Sequence, residues 1–398
     1  MTRPGFERAR METGNLAHST PASAVSPVEL VCDRTAQPTG RLVCLDVGES
    51  RTKNLVRELK RRGYLTEEFD SHNPGRFLRQ FAPLVHSLRR ADFVLCGAPR
   101  RSLVPWLLLA KLLRVPTIVD CPMDYTAWPF PTVWHCHLTA RWVLNLADYV
   151  LTLNSRAYLI DKFHLKRERV LFVENCPDRT FIESSIEKTP PRFHPQTGVF
   201  QICCSGCHEP HRLERFMATF EALLASMPQT ELLLIGAPEQ PSIRAMLRYA
   251  QERGFAERVR SEPIIRPPES FFATIARCDL WIATLGDDTV QGRHELRMEL
   301  LEMGLLERTV VAAPTPGILA HDLVDGRDLI MIDPADPDGN ARKLADYIRH
   351  PKRLAEIGAN LRERVIRRFS LSEAIDRVIS AVAARQSGRE PVVAGIKS

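Results

Sequence analysis

The sequence has no uninterrupted apolar run of about 18 residues, so no transmembrane helix is expected. Its longest candidate, Leu103 to Val115, is broken by Lys111 and Arg114 and reads as a buried helix. The N-terminus lacks the apolar core of a secretory signal. From Met1 to about Gly40 it holds Arg3, Arg8 and Arg10 against Glu7 and Glu12, then Ser, Thr, Pro and Ala, which reads as a disordered tail. Aromatic residues make only 7% of the chain and form no platform interleaved with basic residues, so nucleic-acid binding is not expected. Disulfide patterning is also missing. The ten cysteines are scattered and no secretory context accompanies them, which points to a reducing cytoplasm.

One cysteine cluster needs weighing. Cys204-Ser-Gly-Cys207-His208 has the letters of a haem-attachment motif, with His211 close by. Haem attachment of that kind needs export, and a zinc site needs a second well-spaced ligand pair. Cys203 and Cys204 also end an apolar strand, where buried thiols are ordinary. His135-Cys136-His137 is weaker still, because adjacent helical positions diverge. No metal or cofactor is expected.

What the sequence does have is an α/β rhythm. At 398 residues, 44% hydrophobic and 26% charged, it is long enough for two domains with separate cores. From Thr230 to Asp328, short apolar runs with turn residues at their carboxyl ends alternate with segments of helical period. That pattern predicts a parallel sheet flanked by helices. The same alternation runs from Arg41 to Asp178: LVCLDVG, then a helix over about 51–62, ADFVLC, a helix over 102–113, PTIVD, a helix over about 134–147, DYVLTLN and RVLFVEN. Pro190, Pro191 and Pro195 mark a break. The expected organisation is a tail over 1–40, a first domain over 41–178, a linker over 179–198, a second domain over 199–370, a one-sided apolar helix over 371–386 and a loose end over 387–398.

Ligands of parallel sheets bind where loops and helix N-termini meet the carboxyl ends of strands. The best candidate there is a helix from about Gly292 to Leu306. Glu295, Glu299 and Glu302 share one of its faces, and Arg293 and Arg297 form a second pair beside them. Gly286-Asp287-Asp288 would feed that helix. Arginine near a helix N-terminus suits phosphate, and a carboxylate further along suits a ribose or sugar hydroxyl. A solvated charged face is the alternative reading of the same spacing.

The order of these pieces resembles the donor-sugar half of GT-B glycosyltransferases, the large retaining family called family 4. Glu302-Met-Gly-Leu-Leu-Glu-Arg-Thr309-Val-Val-Ala312 is similar to that family's second glutamate and its following Gly-x-Pro-Val-Val-Ala turn and strand. The resemblance implies that Glu302 binds the nucleotide ribose. The family's first glutamate falls at His294, with Glu295 one residue off, and Thr309 replaces the usual proline. For the diphosphate the resemblance implies Gly206, with Arg212 in place of a lysine and His208 beside it. Gly236 matches a Gly-x-x-Pro loop, and Ile265 and Arg266 sit where a loop packs on the base. Arg297 and Glu299 complete the donor side. In the first half, Gly48, Glu49 and Ser50 stand at the acceptor loop, and Asp120-Cys-Pro-Met-Asp124 is similar to an Asp-x-His-Asp stretch whose histidine is absent. Glu295 and Asp124 are therefore the catalytic candidates.

The resemblance implies two Rossmann-like domains facing across a cleft, with the C-terminal helix crossing back to the first. It also implies transfer of a sugar from a nucleotide-diphosphate donor, as substrate and not cofactor, to an acceptor hydroxyl with retention. A nucleotide-sugar epimerase of the same fold and a non-catalytic relative are the alternatives. Between Arg41 and Asp178 there are 21 Lys+Arg and 14 Asp+Glu, a balance of +7 that exceeds the whole chain's +6. Arg57, Lys60, Arg61 and Arg62 crowd one helix. Such a surface suits an anionic or lipid-linked acceptor and peripheral contact with the inner face of a membrane. A solvated face is the preferred reading of it, because acidic residues are interspersed.

Overall fold

Strands buried on both faces must be apolar along their whole length. Such runs build two parallel six-stranded sheets. The computed structural model describes residues 39–48, 50–70, 74–121, 132–153, 156–188, 198–205, 212–263, 265, 267–286 and 296–387. Most of the expected tail, the proline-rich part of the expected linker and residues 388–398 lie outside them.

The first half runs β1 (Gly40–Leu45), α1 (Ser50–Arg61), β2 (Tyr64–Phe69), α2 (Pro74–Leu88), β3 (Phe93–Cys96), α3 (Val104–Leu112), β4 (Thr117–Cys121), α4 (Thr132–Leu146), β5 (Tyr149–Thr152), α5 (Arg156–Phe163) and β6 (Val170–Phe172). Its sheet has the order β2-β1-β3-β4-β5-β6, all parallel. β3, β4 and β5 are buried throughout, whereas edge strand β2, YLTEEF, alternates toward solvent.

The second half runs α6 (Arg179–Lys188), β7 (Phe200–Ser205), α7 (Phe216–Ser226), β8 (Thr230–Ile235), α8 (Pro241–Glu252), β9 (Val259–Glu262), α9 (Pro268–Ile275), β10 (Leu280–Thr284), α10 (Met298–Leu305), β11 (Thr309–Ala312), α11 (Pro316–Ala320), β12 (Ile330–Met331), α12 (Pro337–Arg349) and α13 (Pro351–Arg368). Its strand order is β12-β11-β10-β7-β8-β9.

Two segments expected from sequence take a different form. The start of the expected linker is helix α6, whose Ile182 enters the core of the second half and whose Phe181 meets Phe272 of α9 edge to face. The three prolines follow it and do not interrupt it. The acid-bearing helix is shorter than expected. Arg297 is extended, at φ −64° and ψ 140°, and α10 begins only at Met298.

α14 (Leu371–Gln386) crosses between the halves. Leu361, Val365 and Phe369 pack in the second half, while Ala374, Ile375, Val378 and Val382 pack beneath β1 and β3 of the first. Ser370 caps α14, accepting from the Glu373 amide at 3.2 Å. Arg62, just after α1, donates to Asp376 and to Ser372. The other crossing, at residues 177–180, lies beside this one. Pro177, Asp178, Phe369 and Ser370 line one cavity of about 190 Å³.

Candidate functional site

In a doubly wound sheet the crevice opens where the strand order reverses, because neighbouring loops there diverge. In the second half that point lies between β7 and β10. Two arginines stand at it. Arg212 has φ 51° and precedes a 3-10 turn, Leu213–Arg215, that leads into α7. Gly286, on the loop leaving β10, has φ 149°. A Cβ there would lie 3.1 Å from Arg215 Nη1 and 3.7 Å from Arg212 Cγ. Glycine is therefore required both for its backbone conformation and for the close approach of the two arginines. Arg212 also lies 4.0 Å from Glu214. Arg215 is exposed and has no ion pair among the described residues. Sequence reasoning singled out Arg212 and missed Arg215, although a spacing of three was the available signal.

α10 follows the same crevice. Glu299 lies in its first turn and Glu302 one turn further. Glu302 is partly open to solvent yet hemmed in by protein. Burial raises its pKa, Glu299 adds to the rise and Arg57 opposes it, leaving Glu302 at about 8. No described residue hydrogen-bonds its carboxyl group. A carboxyl with a perturbed pKa and no hydrogen-bond partner among the described residues is a candidate to meet a ligand's polar group. Arg297 sits at the N-terminal end of α10, where burial lowers its pKa and Glu299 counters it.

Arg57 reaches this region from α1 in the first half. Its guanidinium donates to Asp178 at 2.8 Å and lies 4.0 Å over the Phe181 ring. Arg61 donates to the other Asp178 oxygen at 2.8 Å. Asp178 is 1% exposed and also accepts from the Phe181 amide at the start of α6. The basic cluster of α1 is thus committed within the molecule: Lys60 pairs with Glu68, and Arg62 with Glu58 and Asp376. Its partners are of two kinds: Glu58 and Glu68 lie close in sequence, and Asp178 and Asp376 lie more than 100 residues away, an ion-paired face as the interspersed acids suggested.

The halves also meet through Asn175, whose Nδ2 donates to the Leu296 carbonyl at 2.9 Å, just before α10. Nearby, His321 Nδ1 lies 3.7 Å from Glu174. Burial, and then Arg368, push His321 down to about 4, while burial raises Glu174. Both groups are therefore held toward neutrality.

On the first-half side, α1 opens on a buried polar knot. Arg51 Nη2 donates to the Val173 carbonyl at 2.8 Å and Nη1 lies 3.6 Å from Asp120. Thr52 donates to Asp120 at 3.0 Å. Asp120 is fully buried, and burial raises its pKa against Arg51. Gly48 is exposed, its amide bonded to the Asp46 carbonyl at 2.8 Å. Sequence reasoning missed Gly97, where a Cβ would fall 2.2 Å from that same carbonyl. This pins the loops after β1 and β3 together at the first sheet's own reversal point.

Gly236 and Ile265 serve packing. A Cβ at Gly236 would lie 2.4 Å from Ile243 of α8, and Ile265 is 2% exposed within the core. Thr309, standing where the family has proline, is buried and donates to the Leu354 carbonyl at 2.5 Å. Glu307, where that turn has glycine, has φ 55°. Ser50 is the first residue of α1. Glu49, Asp124, Gly206, His208, Arg266 and Glu295 lie outside the described residues, as do Cys207, His211 and Asp287-Asp288. Cys203 and Cys204 are buried strand thiols of β7, and no group of metal-ligating side chains gathers among the described residues.

No protein-family model matches the sequence, and no curated protein matches it. Solved structures do. Anabaena HepE, in complex with UDP and glucose, superimposes with a TM-score of 0.61 at 16% identity, covering 87% of this chain and all of its own. Sucrose-phosphate synthase from Thermosynechococcus elongatus gives 0.59 at 11% identity, over 88% of this chain and all of its own. A putative UDP-N-acetylglucosamine 2-epimerase from Listeria monocytogenes gives 0.54 at 13% identity, over 90% of this chain and 99% of its own. The fold is GT-B: two Rossmann-like halves across a cleft with the C-terminal helix returning to the first.

Proposed function

We propose that this protein is a glycosyltransferase that moves a sugar from a nucleotide-diphosphate donor to an acceptor hydroxyl, with retention at the anomeric carbon. The observation that carries the reading is the pairing of Arg212 and Arg215 beside Gly286 at the strand reversal, with the unpartnered Glu302 carboxyl on the helix that follows. HepE, of the same fold, is known in complex with UDP-glucose, which supports a nucleotide-sugar donor.

The chemistry asks for little covalent work. The bond between the anomeric carbon and the diphosphate breaks, and its electron pair leaves on the diphosphate. Arg212 and Arg215 stabilise that growing charge by charge-assisted hydrogen bonds. Glu302 accepts the ribose hydroxyls and fixes the donor's register. The cleft brings the acceptor from the first half onto the reacting carbon, removing the entropy of encounter. The acceptor oxygen bonds to that carbon on the face the diphosphate leaves, and its proton passes to the departing diphosphate oxygen. The nucleotide-sugar is a substrate, and the two arginines supply the positive charge.

The test is a thermal-shift screen against UDP-, GDP-, ADP- and TDP-sugars, followed by product analysis. Stabilisation by one nucleotide class and transfer of its sugar are expected. A free, altered sugar nucleotide would instead identify an epimerase, as the Listeria neighbour's name suggests for that protein. No stabilisation by any of the four would leave a non-catalytic GT-B relative.

A further inference from the structure

α2 crosses from β2 over β1 to β3, α3 and α4 connect neighbouring strands, and all three pack on one face of the first sheet, above the core formed by Leu84, Leu88, Leu107, Ala110, Val143 and Leu144. Their outer surface is unusual in two ways. It exposes large apolar side chains: Phe81 is 48% exposed, Leu108 50%, Leu112 79% and Trp142 63%. It also lacks acid. From Ser71 to Ala147 the chain has nine Lys+Arg and only three acids, Asp92, Asp120 and Asp124. None of these three lies in α2, α3 or α4, and Asp120 is fully buried.

The basic residues are interleaved with the apolar ones. Lys111 and Arg114 flank Leu112, and Arg141 adjoins Trp142. None of these three has an acidic partner among the described residues, in contrast to Arg57, Lys60 and Arg61 of α1 and Arg62 just after it. His137 of α4 registers the same field: burial, then Lys162 and Arg141, lower its pKa. Charges at helix C-termini do favour Lys and Arg. That accounts for Lys111 and Arg114 at the end of α3 and leaves Arg141 and the exposed Leu112 and Trp142 unexplained.

We propose that this face docks peripherally on a membrane surface of anionic phospholipid. Leu112 and Trp142 enter the headgroup–acyl boundary, where tryptophan is favoured, and Lys111, Arg114 and Arg141 meet the lipid phosphates. A second copy of the chain fits poorly, because a symmetric contact would set this acid-free face against itself. A nucleic acid would use the cations without the leucines. The helices run antiparallel to the strands, so Leu112 and Arg114 lie toward the amino edge of the sheet. The cleft, at the carboxyl edge, stays open. The proposal does not depend on which sugar the cleft accepts.

The test is co-sedimentation of the full chain with vesicles of phosphatidylcholine alone, or of phosphatidylcholine with phosphatidylglycerol. Binding to the anionic vesicles only, weakening with salt, is expected. Lys111→Gln/Arg114→Gln/Arg141→Gln should weaken it on the order of a hundredfold, since each cation near such a surface contributes roughly fivefold. Leu112→Ser/Trp142→Ser should weaken it by about tenfold or more through lost insertion. Both variants alter exposed side chains and should keep the wild-type melting temperature. Arg62→Gln on α1 should leave vesicle binding unchanged. The proposal is overturned if the wild type fails to bind anionic vesicles or binds neutral ones equally. It is likewise overturned if Leu112→Ser/Trp142→Ser binds as well as wild type, if RNA captures that variant as well as wild type while vesicles capture neither, or if it merely dissociates a dimer.

Discussion

Arg57 and Glu302 belong to different halves of the protein, yet Arg57 lowers the pKa of Glu302 across the cleft against the combined effect of burial and Glu299. Arg57 is itself anchored by Asp178 and laid over Phe181. The Glu302 carboxyl is therefore electrostatically coupled to the place where the chain passes from one half to the other.

Glu302 should be a stability liability in the empty protein. Its folded pKa, about 8, lies above the ordinary value of 4.5, so the folded state holds a proton that the unfolded state has lost. Stability contributed by this group is then full below pH 4.5 and is lost as pH rises toward 8. Glu302→Gln should match wild type in acid and exceed it at pH 8 by about 1–3 kcal/mol, while weakening nucleotide binding. Urea denaturation at the two pH values checks this, and identical pH profiles for the two proteins would refute it.

The arginine pair should act on the diphosphate. Arg212→Ala and Arg215→Ala should each weaken UDP binding by roughly 1.5–3 kcal/mol. The lysine substitutions should recover part of that, because lysine keeps the charge and loses the planar fork. Calorimetric titration with UDP against uridine separates the effects: uridine affinity should be nearly insensitive to both changes. An equal loss for uridine would place these arginines away from the phosphates.

His321 should make the protein acid-sensitive. Its folded pKa, about 4, lies below the ordinary 6.5, so its contribution to stability is present above pH 6.5 and is lost as pH falls toward 4. Glu174 shifts the other way and partly offsets it. His321→Asn should flatten the decline in melting temperature between pH 6.5 and 4. A decline as steep in the variant would assign the acid sensitivity to other groups.

Asp178→Asn should destabilise the protein by about 2–4 kcal/mol, because it leaves Arg57 and Arg61 without their shared carboxylate. The chemical-denaturation midpoint reports this directly. A change below about 0.5 kcal/mol would mean the two arginines find water as good a partner.

The α/β rhythm was legible because parallel strands such as TVVA and FVLC are continuous apolar runs. β2 was not legible. YLTEEF is an edge strand with two glutamates and no such run. α6 was hidden by the prolines that follow it, although Ile182 and Ser185 mark one buried face, with Phe181 partly buried beside them. Glu302 could be singled out by spacing and resemblance, but its unpartnered state and its neighbour Arg57 are facts of three dimensions. The interspersed acids already favoured a solvated face for the basic run at α1, and Glu58 does pair with Arg61 and Arg62, but the further partners Asp178 and Asp376 are distant in sequence.

The two chain crossings line a single cavity. In mechanical terms this is a piano hinge: two adjacent tethers permit rotation about the line that joins them and resist both twisting and sliding. Asp178 stands at that joint, and Asn175 bonds the halves to each other nearby. A chain ending before Ser370 would keep one tether of the two and become a swivel. It would also strip Ile375 and Val378 from the underside of β1 and β3, so the joint and the first half's core would fail together.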